Sequence, residues 1–313
     1  VEQGVAASLA AGVGVVGDIA GSPAAIRARL TAGLAGVSFL EATGIGDGVS
    51  VGIDRAREAL AALPVREGGV TVGLSPHAPY SAGIGLYRWA MERAKADDRP
   101  LTTHLAESPA ELAFIERGEG PFRDLLERMN KAGTLPPPAG VGPVTALADE
   151  LADGADRWLL VHGNFLDDAA ISRLADWGCS LAYCPRATAY FGWEDHPYRR
   201  LMAAGVNVCL GTDSIICQPP EDDQPLGILG PMRLLYRRDG IDPATLLAMA
   251  TVNGMRALGM NPAEATLDEG GRLPLASVRI DPSAADPLVA ALESDHPVEP
   301  VTAASVVNSG DHA

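Results

Sequence analysis

Short apolar runs alternate with longer amphipathic stretches along most of the chain. The apolar runs are nearly continuous rather than alternating, which is typical of parallel strands covered on both faces. They predict seven strands, at 13–18, 36–41, 70–75, 101–105, 158–163, 179–184 and 206–211. Helices are predicted between them at 22–33, 51–63, 82–96, 107–117, 143–153, 166–177 and 195–204. This alternation favours a (β/α) barrel or a doubly wound open sheet.

Two of the predicted helices have clear end signals. The segment 166–177 begins with Asp167 and Asp168 and is followed by Gly178. The segment 242–259 begins with Asp-Pro and ends on a glycine. Aspartate and proline are favoured at helix starts and glycine just past helix ends, so the second segment predicts one further helix.

Two segments of the chain depart from the alternation of strands and helices. Residues 118–142 are rich in glycine and proline and predict an insertion over one end of the sheet. After about residue 264 the helical pattern fades, and short β-like pieces follow. We therefore predict a barrel over 1–263 and, over 264–313, the remnant of a small β subdomain with a tail.

Composition and charge exclude several classes of protein. The chain has 313 residues and a net charge of −16, which would repel nucleic acid and anionic membranes. Its apolar runs are all shorter than the roughly 18 residues of a membrane span. Its four cysteines include no C-x-x-C pair, which is typical of reduced thiols in a cytoplasmic protein.

Histidine and acidic residues, which can bind metal ions, lie at the ends of four predicted strands. His77 follows strand 70–75, and strand 101–105 contains His104, with Glu107 just beyond it. His162 ends strand 158–163, and Asp213 follows strand 206–211. In a barrel the carboxyl ends of the strands meet at one rim, where imidazole and carboxylate groups suit zinc or iron. The pattern predicts a hydrolytic metal site with Glu107 as a proton-transfer group.

Other interpretations of these residues remain open at this point. A strand-end histidine taken alone is usually a hydrogen-bonding residue, and His196 resembles the start of a helix. A glycine fingerprint at 12–17, with Glu41 as the ribose-binding acid, would suit a dinucleotide. That fingerprint needs a strand before it and a helix after it, and here the predicted order is reversed.

In this order the motifs resemble those of the amidohydrolase superfamily. The resemblance is to the branch that contains S-adenosylhomocysteine/methylthioadenosine deaminases, aminodeoxyfutalosine deaminases and triazine hydrolases. The motifs are S-P-H-A-P-Y-S at 75–81, T-H-L-A-E-S at 103–108, V-H-G-N at 161–164, C-P-R at 184–186 and L-G-T-D-S at 210–214. The resemblance implies an α/β fold, a (β/α)₈ TIM-type barrel that lacks its first strand here, with a β-sandwich remnant at the C-terminus.

The resemblance also implies a catalytic set. His104 and Asp213 would bind one divalent metal, zinc in preference to iron. His162 would orient the metal-bound hydroxide, and Asp213 would accept a proton from the attacking water. Glu107 would protonate the ring nitrogen beside the carbon under attack, and the reaction would end with loss of ammonia.

His77, Glu107 and Arg186 are the residues that the resemblance places against the substrate. That substrate would be a small molecule, namely an aminated purine or a related ring amine of the aminodeoxyfutalosine or adenosine-derivative type. Two alternatives stay open: a chlorohydrolase or amide hydrolase on the same barrel, and an inactive homologue that acts as a scaffold. The sequence is also compatible with assembly into a homo-oligomer, whichever of these functions applies.

The chain departs from the family pattern in its metal ligands. The family's first strand contains a His-x-His pair, and this sequence contains none. We expect that pair and the first strand to be encoded upstream of Val1. A catalytic zinc site needs about three protein ligands, and only His104 and Asp213 are expected here.

We therefore predict that this 313-residue chain, made alone, binds metal poorly and is inactive. Metal content and ammonia release from the purified chain would test this. One tightly bound ion per chain together with turnover would contradict the prediction.

Overall fold

A curled, mostly parallel sheet forms the centre of the computed structural model, which describes residues 1–129, 135–193, 195–220, 222–267 and 274–301. The strands are β1 Val15–Ala20, β2 Ala35–Ala42, β3 Arg66–Glu67, β4 Val70–Pro76, β5 Leu101–Leu105, β6 Trp158–His162, β7 Ser180–Tyr183, β8 Asn207–Leu210, β9 Ala276–Val278 and β10 Val298–Pro300.

Helices separate these strands along the chain. They are α1 Glu2–Ala10, α2 Pro23–Leu30, α3 Val49–Ala61, α4 Ile84–Asp97, α5 Pro109–Arg117, α6 Pro121–Arg128, α7 Pro143–Ala146, α8 Ala148–Ala152, α9 Asp168–Trp177, α10 Pro185–Tyr190, α11 Tyr198–Ala203, α12 Leu229–Asp239, α13 Pro243–Ala250, α14 Val252–Ala257 and α15 Pro287–Glu293.

The sheet has the topology of a partial (β/α)₈ barrel. Seven parallel strands follow the order β1-β2-β4-β5-β6-β7-β8, and the short β3 pairs antiparallel with β4. All seven predicted parallel strands are therefore confirmed. Within the described part of the chain β1 and β8 do not pair with each other, so the sheet stays open between them.

Apolar side chains pack on both faces of the sheet. One cluster joins residues from several strands to Leu258, and its buried strand members are Val37, Phe39, Leu159, Ala182 and Cys209. A larger cluster lies between the strands and the surrounding helices. Burial on both faces explains why the strands are almost continuously apolar.

The helix predicted over 242–259 is two helices, α13 and α14. They meet at Thr251, whose backbone leaves the helical region at φ −129° and ψ −92°. Its hydroxyl donates to the Leu247 carbonyl over 2.6 Å. Beyond the break, the side-chain amide of Asn253 donates to the backbone carbonyl of Val208 over 2.9 Å. The side chain of Asn207 in turn donates to the backbone carbonyl of Asn253. The break thus lets α14 satisfy polar groups of β8.

The helix-end signals predicted for the segment 166–177 are confirmed. Asp167 caps α9 by accepting from the Ala170 amide over 2.7 Å. Gly178 ends that helix in the left-handed conformation. Asp242 caps α13 in the same way as Asp167 caps α9, by accepting from the Thr245 amide.

The described C-terminal residues pack against the barrel. Strands β9 and β10 form a two-stranded antiparallel sheet, and α15 between them contacts α12 and α13. The predicted boundary at 263/264 stays a prediction, and residues 268–273 and 302–313 lie outside the described residues. The predicted insertion at 118–142 contains α6, with 130–134 outside the described residues.

The helices of the described segments are also informative about membranes. Among them, none combines the length and the apolar character that a membrane span requires. The cytoplasmic location expected from the cysteines stays a prediction.

Leu160 tests the packing of the sheet. Its side chain in β6 is fully buried, so Leu160→Ala should lower the free energy of unfolding by roughly 2–5 kcal/mol in urea denaturation. Leu247→Ala is the matched control, because that leucine on α13 is 44% exposed. Equal losses in the two variants would contradict the described core.

Candidate metal and catalytic site

The carboxyl ends of the strands show unusual backbone geometry. Only four non-glycine residues of the described segments have positive φ, and three of them lie at this rim. They are Ala106 at 50°, His162 at 72° and Asp213 at 59°. Such conformations are strained for residues with a side chain and are common at functional sites. The backbone alone therefore marks this rim as the candidate site.

Two groups of metal-ligating side chains lie at the rim. The first contains Glu41, His77 and His104, with ligand atoms all within 4.8 Å of one another. The ring centroids of His77 and His104 are 4.9 Å apart. His77 Nε2 lies 3.9 Å from a Glu41 carboxylate oxygen.

Hydrogen bonds orient both histidines in this group and fix the tautomer of His104. His104 Nδ1 lies 2.9 Å from the His77 carbonyl, which can only accept, so Nδ1 is the protonated nitrogen. His77 Nδ1 lies 2.6 Å from the Ser81 hydroxyl. The same hydroxyl lies 3.2 Å from the Ala78 carbonyl. The His104 ring is thereby left with a free lone pair on Nε2, which is the form that binds a metal.

The second group contains Glu107, His162 and Asp213, again with ligand atoms within 4.8 Å of one another. His162 Nε2 lies 3.6 Å from a Glu107 carboxylate oxygen. The Asp213 carboxylate accepts from the Ser214 amide over 2.6 Å. The two groups are neighbours, because the rings of His104 and His162 stack with centroids 5.4 Å apart.

Burial shifts the protonation equilibria of these side chains. Burial, and then the charge of Asp213, raise the pKa of Glu107 from 4.5 to about 7. Burial, and then the neighbouring His104, lower the pKa of His162 to about 3. Burial also lowers the pKa of His104. The histidines are therefore neutral near pH 7, while Glu107 exists in both forms there.

The residues around the second group hold it in place. Asn164 donates to the Glu107 carbonyl over 2.9 Å and accepts from the Thr188 hydroxyl over 2.9 Å. His196 Nε2 lies 2.7 Å from the His162 carbonyl, and the side chain is buried. His196 lies just before α11, as expected for a residue at a helix start, and it is also a buried partner of the His162 backbone.

The chemistry of these side chains fits one divalent ion of the zinc or iron class. Neutral imidazoles with oriented Nε2 lone pairs and nearby carboxylates are the donors that such ions prefer. His104 and Asp213 belong to different groups, so their joint role as ligands stays a prediction. Glu41 and His77 bring further donors to His104 beyond the two ligands that the sequence suggested.

Arg186 contacts the loop that follows β8. It belongs to α10, forms an ion pair with Asp222 and donates to the Gln218 side chain over 3.1 Å. Its predicted contact with substrate stays a prediction.

Glu41 is the member of the site that sequence reasoning missed. It was considered only as the acid of a dinucleotide site, although it lies near the end of β2, at the same rim as the other polar residues.

The glycines at 12–17 follow helix α1 and extend into β1, the order that argues against a dinucleotide site.

Comparison with known proteins identifies the family. The model of the amidohydrolase family matches residues 1–277. The chain belongs to the amidohydrolase family. It is 31% identical over 265 residues to the aminodeoxyfutalosine deaminase of Deinococcus radiodurans. That match covers 79% of this chain and 60% of the relative, so the chain spans less than two thirds of that protein.

Solved structures share the fold of this amidohydrolase. Helicobacter pylori aminofutalosine deaminase in complex with methylthio-coformycin superimposes with a TM-score of 0.71 at 23% identity, covering 83% of this chain and 63% of that one. The atrazine chlorohydrolase of Arthrobacter aurescens complexed with zinc has a TM-score of 0.72 at 20% identity, covering 99% and 75%. The resemblance predicted from the motifs is confirmed.

The raised pKa of Glu107 predicts a pH-dependent stability. The folded state holds the Glu107 proton more tightly than the unfolded state, so this stabilisation is complete below about pH 4.5 and is lost as the pH rises through 7. Glu107→Gln removes that loss. In chelator-treated protein, the melting temperature of the variant should exceed that of the wild type at pH 8, and the difference should shrink at pH 4. The same difference at both pH values would contradict the burial of this carboxyl group.

Proposed function

We propose that the protein containing this chain removes the amino group from a purine-type ring by hydrolysis. The observation that supports this most directly is the group formed by Glu107, His162 and Asp213 beside His104. It combines a proton-transfer group, a neutral imidazole and a carboxylate at one rim. The deaminase relative supports the aminodeoxyfutalosine or adenosine-derivative class of substrate.

We further propose that His104 and Asp213 hold one divalent ion, zinc in preference to iron. A zinc complex in a protein of the same fold supports this choice. When bound, such an ion lowers the pKa of a water molecule and so supplies hydroxide near neutral pH. Glu41 and His77 bring further donor atoms beside His104.

Glu107 is suited to transfer the proton that the ring must receive. An amine-bearing ring carbon becomes more electrophilic when the adjacent ring nitrogen is protonated. A carboxyl group with a pKa of about 7 can give that proton and take another one back at neutral pH. Burial produces this property, because the charged carboxylate is poorly solvated at the rim.

His162 and Asp213 would act on the other side of the reacting carbon. The low pKa of His162 keeps its ring neutral, so it can donate one hydrogen bond without losing a proton. Asp213 can accept the proton of the attacking water. His77 would contact the substrate, since its ring lies 4.9 Å from that of His104.

A second candidate function has one observation in its favour. The atrazine chlorohydrolase shares the fold over 99% of this chain, and a chloride leaving group needs the same attack at a ring carbon. Analysis of the released product separates the two, because a deaminase releases ammonia and a chlorohydrolase releases chloride.

Glu107→Gln tests the proposed reaction. In the full-length protein with a panel of purine nucleosides, this variant should lose on the order of 10²–10⁴-fold in kcat for ammonia release, because it can no longer exchange a proton. Glu150→Gln is the matched control, since Glu150 is a buried glutamate paired with Arg88 between α8 and α4. Wild-type ammonia release from the Glu107 variant would contradict the assignment.

A further inference from the structure

Glu111 is a fully buried carboxyl group that the proposed mechanism does not use. It is the third residue of α5, whose first turn is capped by the Ser108 hydroxyl through the Glu111 amide at 3.2 Å. Serine followed three residues later by glutamate is a capping box, in which the glutamate normally accepts from the amide of the capping residue itself.

Here the carboxyl group of Glu111 reaches further back along the chain. One oxygen accepts from the Ala106 amide over 2.9 Å, and the other accepts from the Glu107 amide over 2.8 Å. Both oxygens thus bind amides of the three-residue segment, 106–108, that joins β5 to α5. Ala106 is one of the strained residues, with φ at 50°. A conformation of this kind persists only where surrounding contacts enforce it.

The other side of the same turn is bound to β6 and the residues after it. The Leu105 carbonyl accepts from the Gly163 amide over 2.9 Å, and the Ala106 carbonyl accepts from the Phe165 amide over 3.1 Å. Asn164 donates to the Glu107 carbonyl over 2.9 Å. The residues just after β6 therefore fix the carbonyls of this turn, and Glu111 fixes the amides of Ala106 and Glu107.

We propose that Glu111 is the positioning residue for Glu107, because it holds the backbone of Ala106 and Glu107 in the one conformation that directs the Glu107 carboxyl group toward His162 and Asp213. The inference rests on the proposed function, in which Glu107 transfers the proton. A misplacement of about 1 Å at such a group can lower the rate by about 100-fold.

The contact requires a side chain of this length that offers two acceptor oxygens. Glutamine at 111 would offer one oxygen and one NH₂ group, so one of the two backbone amides would face a donor and lose its acceptor. Aspartate is one CH₂ group shorter and could serve only one of the amides from the same position on α5. We therefore expect either substitution to weaken the contacts of residue 111 with the Ala106 and Glu107 amides while the barrel stays folded.

The test compares Glu111→Gln with Glu150→Gln in the full-length protein. Glu150→Gln also removes a buried carboxyl group, but at the Arg88 pair between α8 and α4. Hydrogen exchange of the amides of Ala106 and Glu107 should accelerate at least about tenfold in Glu111→Gln and remain unchanged in Glu150→Gln. In the same variant kcat should fall about 10–100-fold with KM unchanged.

Unchanged exchange at these two amides, or unchanged kcat despite faster exchange, would overturn the proposal. A wild-type protein that releases no ammonia from any purine would defeat the proposed function, and faster exchange in the variant would still show that Glu111 holds the turn. If Glu111→Gln does not fold, Glu111→Asp replaces it, with the same pair of changes expected and the same results against it.

Discussion

The structure depends on one constraint, the parallel pairing of strands in a curled sheet. Because β2, β4, β5, β6 and β8 run in the same direction, their carboxyl ends reach a single rim. Residues that are far apart in sequence, such as Glu41 and Asp213, are thereby brought to one edge. The buried strands provide rigidity, and the residues just beyond them provide the chemistry.

Burial at that rim gives the side chains their properties. The same desolvation that raises the pKa of Glu107 lowers the pKa of His162, so the carboxyl group retains a proton and the imidazole does not. The hydrogen bond that His104 Nδ1 donates to the His77 carbonyl then selects the His104 tautomer. Glu111 holds the strained backbone at Ala106, and His196 contacts the carbonyl of the strained His162.

The sequence predicted the strands well because burial on both faces leaves a continuous apolar pattern. It also predicted His77, His104, Glu107, His162 and Asp213 as strand-end residues, and the structure brings them into two neighbouring groups. It could not predict the break at Thr251, since that break serves β8, or the reach of Glu111, since a capping box indicates only a helix start. Glu41 was missed, although it ends the predicted strand 36–41, because it was considered only as the acid of a dinucleotide site.

The central claim is that imidazole and carboxylate groups of this rim hold one catalytic divalent ion. X-ray absorption spectroscopy of the full-length protein tests it most directly. The account predicts nitrogen and oxygen ligands only, because burial raises the pKa of the nearby Cys184 thiol and keeps it protonated. It also predicts that the imidazole signal is reduced in His104→Asn. An ion bound through sulfur, or a spectrum unchanged in His104→Asn, would contradict the account.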